Sequence, residues 1–382
     1  MAKLGECFSV IRNGASIRQT DGAGGFPITR IETIADKTIN REKFGYAGIY
    51  DLAQYRDYIL QDGDILMSHI NSEKHLGKVA LYSKRDDEQI IHGMNLLMLR
   101  ADTQKVIPEY AKYYFESQKF LRQIGRITKK SVNQASFTVT ALKELEIPLA
   151  SIIVQRDVSE KLKKVDLLVS LRKQQLAKLD ELVKARFVEK SKEWQAVPGQ
   201  LNEFLEDITY GFTNPMPDAE EGPWKVTAKD VVNGHINILT ARKTTNEAFE
   251  RLTNKSKPRK GDVLLTKDGT LGRVAVVDVE NLCVNQSVAV MRCNNKIYPE
   301  FLAMILQMPE YQRKLLEDSG GGTIKHLYIT KVDKMLISVP DLVIQKDLLM
   351  FAKRVEQQKQ TVQQSLEKLA LMKKALMQEY FG

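Results

Sequence analysis

The sequence is written twice. Leu4-Gly-Glu-Cys-Phe, with Ile11-Arg-Asn-Gly14 behind it, returns as Leu201-Asn-Glu-Phe-Leu and Ile208-Thr-Tyr-Gly211. Gly63-Asp-Ile-Leu66 returns as Gly261-Asp-Val-Leu264, and Leu76-Gly-Lys-Val-Ala80 as Leu271-Gly-Arg-Val-Ala275. Further on, Ile107-Pro-Glu-Tyr110 matches Tyr298-Pro-Glu-Phe301, and Leu145-Glu-Ile-Pro148 falls opposite Ile337-Ser-Val-Pro340. Five matches in one order, at an offset of about 190 to 198 residues, make coincidence improbable. A duplicated chain must fold as two copies of one unit.

Each unit reads alike. Gly63 and Gly261 open turns into apolar, β-branched strands, and Lys78-Val-Ala-Leu-Tyr82 and Arg273-Val-Ala-Val-Val277 are further strands. Pro108 and Pro299 then sit at helix starts, where a missing N–H costs nothing. These are α+β globules. Each is followed by a long stretch, 154–193 and 342–380, without internal proline or glycine. Leu162, Val165, Val169, Leu176, Leu179 and Val183 recur at coiled-coil spacing in the first, and Ala352, Val355, Val362, Leu366, Leu369 and Leu376 in the second. An offset of 190 carries Val165 onto Val355, Leu176 onto Leu366 and Leu179 onto Leu369, so equivalent stripes invite pairing.

The expected architecture is a pseudo-twofold internal repeat: two globules separated by a pair of long antiparallel coiled-coil helices. Its bounds are 1–150 for the first globule, 151–195 for the central helix, 196–341 for the second globule and 342–382 for the last helix. Helices of roughly 25 to 30 residues at about 1.5 Å rise span about 40 Å, close to the ~34 to 36 Å turn of B-DNA. The same stripes equally suit helices folded onto their own globules or used for oligomerisation.

At 382 residues and 43% hydrophobic, the chain suits two cores, and a net charge of +9 suits an anionic partner, nucleic acid first. Cys7, Cys283 and Cys293 form neither an even framework nor a CxxC pair and read as reduced thiols of a cytoplasmic protein. No window approaches the roughly 18 apolar residues of a membrane span. Chemistry is scarce. No GxxxxGK[ST] loop occurs, Asn214-Pro-Met-Pro217 reads as a loop rather than a methyltransferase segment, and the five histidines lack ligand spacing. No catalytic residue, cofactor or metal site is expected.

The whole chain resembles the specificity subunits of type I restriction-modification enzymes. The resemblance rests on the junctions Ile147-Pro-Leu-Ala-Ser-Ile-Ile-Val-Gln155 and Val339-Pro-Asp-Leu-Val-Ile-Gln345, on helix phrases such as Leu176-Ala-Lys-Leu-Asp-Glu-Leu-Val183, and on Gly261-Asp-Val-Leu-Leu-Thr-Lys-Asp-Gly-Thr-Leu-Gly-Arg273. The first unit departs from the pattern, with Ser68-His-Ile-Asn-Ser-Glu-Lys-His75 in the loop and Ala150-Ser151 where a proline-rich turn is usual. The resemblance implies a non-catalytic subunit that reads a bipartite double-stranded DNA target. Its implied partners are two adenine methyltransferase subunits and, through the assembled complex, the restriction and translocase subunits.

Candidate DNA contacts lie in loops where small residues admit the backbone and polar or basic side chains reach phosphates and base edges. In the first unit they are Ser68, His69, Asn71 and Lys74, then Lys129, Lys130, Ser131, Asn133 and Gln134. In the second they are Thr266, Lys267, Thr270 and Arg273, then Ser319, Thr323, Lys325 and His326. Two other readings stand beside DNA recognition: a methyltransferase or nuclease with a divergent site, and a coiled-coil scaffold without DNA affinity.

Overall fold

In the computed structural model, which describes residues 1–20, 24–34, 37–131, 134–194, 198–232, 234–317 and 326–382, the chain forms two compact units. One is 1–174 with 363–382, the other 175–362. In the first, Ile65–Ser68 and Leu96–Ala101 are the inner strands of a four-stranded antiparallel sheet, with Phe8–Asn13 and Val79–Leu81 at its edges. The inner strands carry unbroken apolar runs because both faces of the sheet are covered. Ile65, Met67, Leu97 and Leu99 face a core built with Phe115, Phe120 and Ile124 from the helices Pro108–Phe115 and Gln118–Ile127. Leu66, Leu96 and Met98, one step along each strand, face a second core with Ile34, Phe44 and Tyr82.

The second unit repeats this frame. Its sheet runs Leu205–Tyr210, Val288–Cys293, Val263–Thr266, Val274–Val276 in the same order, and its strands divide their side chains between two cores in the same way. Even the irregularity is copied: the register slips between Phe8 and Val10 in one sheet and between Leu205 and Asp207 in the other. So is a buried ion pair. The carboxylate of Asp64 accepts two bonds from Arg100 at 2.8 Å and one from the Gln61 N–H at 2.7 Å. Asp262 accepts two from Arg292 at 3.0 and 2.7 Å and one from the Arg259 N–H at 2.8 Å.

One sequence match needs correcting. Ala2 pairs with Ile147 and Gly199 with Ile337, so the two junctions are related by 190 residues. Ala150 is therefore the counterpart of Pro340, and the expected match of Pro148 with Pro340 slips by two. A proline in both phrases drew the shorter alignment; strand pairing decides it.

Two long helices follow, Ile152–Glu193 and Leu342–Phe381. The first begins two residues ahead of the expected 154, where the Ser151 hydroxyl accepts the Val154 N–H at 3.4 Å. Asp341 likewise accepts from the N–H groups of Val343 and Ile344 at 2.9 and 3.0 Å. Each helix gives one part to each unit. In the first unit Asp166 meets Lys373 at 2.5 Å and Lys161 meets the Tyr380 hydroxyl at 3.4 Å, while Leu162 shares a core with Phe381 and, partly buried, Leu376. In the second, Leu179, Val355 and Val362 pack with Leu176, Val183 and Phe351, and Lys359 meets Asp180 at 2.8 Å. Numbers rise on one helix as they fall on the other, so the paired segments are antiparallel. Val165 is buried, and Val169, Ala352, Leu366 and Leu369 are partly so. Among the described residues no helix is long and apolar enough to cross a membrane.

Candidate nucleic-acid interface

In both units the strand that follows the Gly-Asp turn runs into a loop that closes in the same way. Ser68 exchanges backbone bonds with Lys78 and Gly77, and Thr266 with Arg273 and Gly272, all at 2.9 Å. Gly77 and Gly272 take φ of +70° and +79°, which a side chain would strain, so both loops need glycine there. Between these fixed ends the two loops differ in length and content.

In the first unit the loop is longer and builds a small sheet of its own. Ile70–Asn71 pairs with Ala135–Ser136, which pairs with Lys129–Lys130. Two candidate segments nearly sixty residues apart thus become neighbours. Lys130 reaches Glu73 at 2.8 Å, and the Ser131 hydroxyl donates to the Gln134 carbonyl at 2.8 Å. Lys74, Lys129, Lys130, Ser131 and Gln134 are exposed, and Asn71, partly buried, accepts from the Ser72 N–H at 2.7 Å. Ser68 and His69 lie inside instead. The Ser68 hydroxyl and His69 Nδ1 have no hydrogen-bond partner among the described residues, the His69 ring meets Phe137 edge-on, and burial pushes the imidazole down to about 4. His69 is therefore neutral at pH 7 and offers no charge to phosphate. Asn133 lies outside the described residues.

The second unit concentrates polarity at one carboxylate. Asp268 accepts from Lys267 Nζ at 2.6 Å and meets His326 Nδ1 at 2.6 Å, while the Lys267 ammonium lies 5.5 Å from the centre of the Tyr210 ring. Burial opposes ionisation of Asp268, but the bonds from Lys267 and His326 outweigh it and hold the carboxyl below its ordinary range. His326 is the most open of the three, its side chain 44% exposed. With Nδ1 directed at Asp268, Nε2 is the ring nitrogen left for another partner. Thr266 is buried and works within the loop, donating to the Thr270 carbonyl and accepting from the Arg273 N–H. Thr270 is exposed, and Arg273 reaches the Val231 carbonyl at 3.3 Å. Ser319, Thr323 and Lys325 lie outside the described residues.

The family described as type I restriction modification DNA specificity domain matches residues 1–181 and 216–371, once in each repeat. The chain belongs to that family. A putative type I restriction enzyme specificity subunit, MjaX, of Methanocaldococcus jannaschii is 29% identical over 403 aligned positions, covering 98% of this chain and 91% of the relative. The EcoBI specificity subunit of Escherichia coli is 29% identical over 153 positions, 39% of this chain and 31% of that one. The fold is shared with a chain solved in a study of complex assembly and conformational transition of the type I system, at a TM-score of 0.62 and 17% identity over 100% of this chain and 96% of that one. It is also shared with the type I S subunit of M. genitalium, at a TM-score of 0.54 and 14% identity over 100% and 95%. As a specificity subunit the chain recognises DNA and does not catalyse.

Sequence reading missed Asp268, the hub of the second unit's cluster. Its partner His326 is 58 residues away, and nothing local marks the pair. Tyr210, on an edge strand, was equally silent. What betrays Asp268 in retrospect is a carboxylate inside an otherwise basic, glycine-containing loop.

Proposed function

We propose that each globule, 1–150 and 196–341, reads one half of a bipartite double-stranded DNA target, while the long helices set the gap and dock two adenine methyltransferase subunits. The observation that carries this reading is the contrast between a frame copied bond for bond and loops that share only their ends. Two equal frames suit two half-sites, and different loops suit different base sequences. The helices carry exposed apolar side chains, Leu167, Leu168 and Leu171 on one and Leu371 and Met372 on the other, which supports a protein partner on that surface. Restriction and translocase subunits join through the assembled complex, and the setting is the cytoplasm. Methylome sequencing with and without this gene, both methyltransferase subunits being expressed, is expected to reveal a split N6-adenine motif that disappears with the gene. An unchanged methylome contradicts the proposal.

A further inference from the structure

Resting on the reading that the helices fix the gap, we infer that Gln155 and Gln345 are positioning residues that lock each long helix to its reading globule and so make the gap a single value. Each lies in the opening turn of its helix and is fully buried. The Gln155 carbonyl oxygen accepts from the Ile107 N–H at 2.8 Å, and its amide nitrogen donates to the carbonyls of Lys105 and Ala150, both at 2.9 Å. Gln345 accepts from the Tyr298 N–H at 2.9 Å and donates to the carbonyls of Lys296 and Pro340 at 2.9 and 2.8 Å. Acceptor and both amide hydrogens are used in each case, on corresponding partners.

Three chain segments meet at each amide: the helix, the turn leading into it, and the loop ahead of the globule's Pro108 or Pro299 helix. That matters because most other contacts at each junction are apolar; the polar ones, such as Tyr113 donating to Asp166 at 3.0 Å, involve more exposed side chains than the fully buried amide. Val158 and Leu162 join the core of the first unit, and Leu348 joins that of the second. Dispersion and hydrophobic contact are non-directional and tolerate small slides and rotations of a helix. A planar amide with three bonds does not: only one rotation and one height of the helix satisfy it, and any other leaves a fully buried amide without its partners. A few degrees of tilt at the base of a helix grow along its length. The same residue with the same partners in both copies, beside loops that diverge freely, assigns the amide to the part of the function the copies share, which is holding the reader in register.

The test uses the chain assembled with its methyltransferase subunits, on duplexes carrying its own motif with the native gap or a gap one base pair shorter or longer. The readout is the rate of adenine methylation. Gln155→Met and Gln345→Met keep the volume and remove the bonds. Each is expected to narrow the preference for the native gap by roughly tenfold, with base preferences inside both half-sites unchanged. If Gln155→Met does not assemble, Gln345→Met, which alters the corresponding amide of the other junction, carries the test. Wild-type gap selectivity in these variants, or an even loss on all three duplexes, overturns the inference. Indifference to the gap in the unaltered protein instead overturns the reading on which it rests, so the two failures are told apart.

Discussion

The two globules agree in the central sheet and differ in what is built around it. Sheet order, the slipped register, the Asp64–Arg100 and Asp262–Arg292 pairs and the left-handed glycines are common to both. The first adds a three-stranded sheet around Asn71 and Lys130; the second instead arranges Lys267 and His326 about Asp268 and builds a sheet of Ala219–Val226 with Arg242–Lys243 and, in parallel, Leu282–Val284. Buried groups are held by packing and by the cost of orphaned polar atoms, whereas an exposed loop between fixed ends can change without unfolding its support. A frame of this kind lets one protein carry two unlike readers.

Breaking the frame tests whether the two copies are energetically equal. Asp64→Ala and Asp262→Ala each strand an arginine and a backbone N–H, and each is expected to cost its unit about 3 kcal/mol in denaturant unfolding. Losses that differ by more than about 1 kcal/mol would show that the copies share geometry without sharing its energetics.

Acid should separate the units. The first buries two neutral histidines, with burial the main cause of pushing His69 down to about 4 and His92 to about 3. An unfolded histidine takes up its proton near pH 6.5, so these groups favour unfolding once the pH falls below that value. The loss grows until the folded rings themselves protonate. Between pH 7 and 5 the first unit is expected to lose about 4 kcal/mol through these two rings, and His69→Phe to recover part of it. Parallel pH profiles would remove this distinction. The depressed Asp268 of the second unit acts in the same direction but at lower pH, its stabilising bonds being lost only as its carboxyl protonates.

The smallest effects belong to the loops. Lys129→Ala is expected to weaken DNA binding by the assembled complex at every sequence and to lower the slope of log affinity against log salt by about one. His326→Ala should leave that slope nearly unchanged and relax preference at one position of one half-site, by about 1 to 2 kcal/mol. If both variants act alike, the exposed lysine and the carboxylate-held imidazole do not divide positioning from reading.

Much of the frame was legible in the sequence because its signals are local. Gly63 and Gly261 mark turns, Pro108 and Pro299 mark helix starts, and the stripe from Leu162 to Val183 declares an inward helix face. The candidate site was legible as loops but not as contacts. The pairing of Asn71 with Ala135 and the bond between Asp268 and His326 join residues about sixty apart, and such closure leaves no periodic trace. His69 shows the same limit from the other side: a polar letter in a polar stretch gave no hint that the chain folds it inside against Phe137. Gln155 and Gln345 stood in the quoted junctions, yet only the structure reveals their three bonds.

The central claim is that paired helices set how far apart two readers stand. Adding one heptad to each long helix keeps the inward stripe in phase and lengthens each by about 10 Å, roughly three base pairs of B-DNA at ~3.4 Å each. Methylome sequencing of cells carrying this variant is predicted to return both half-sites unaltered, with the unspecified gap wider by about three base pairs. An unchanged gap, or altered half-site sequences, would contradict the account.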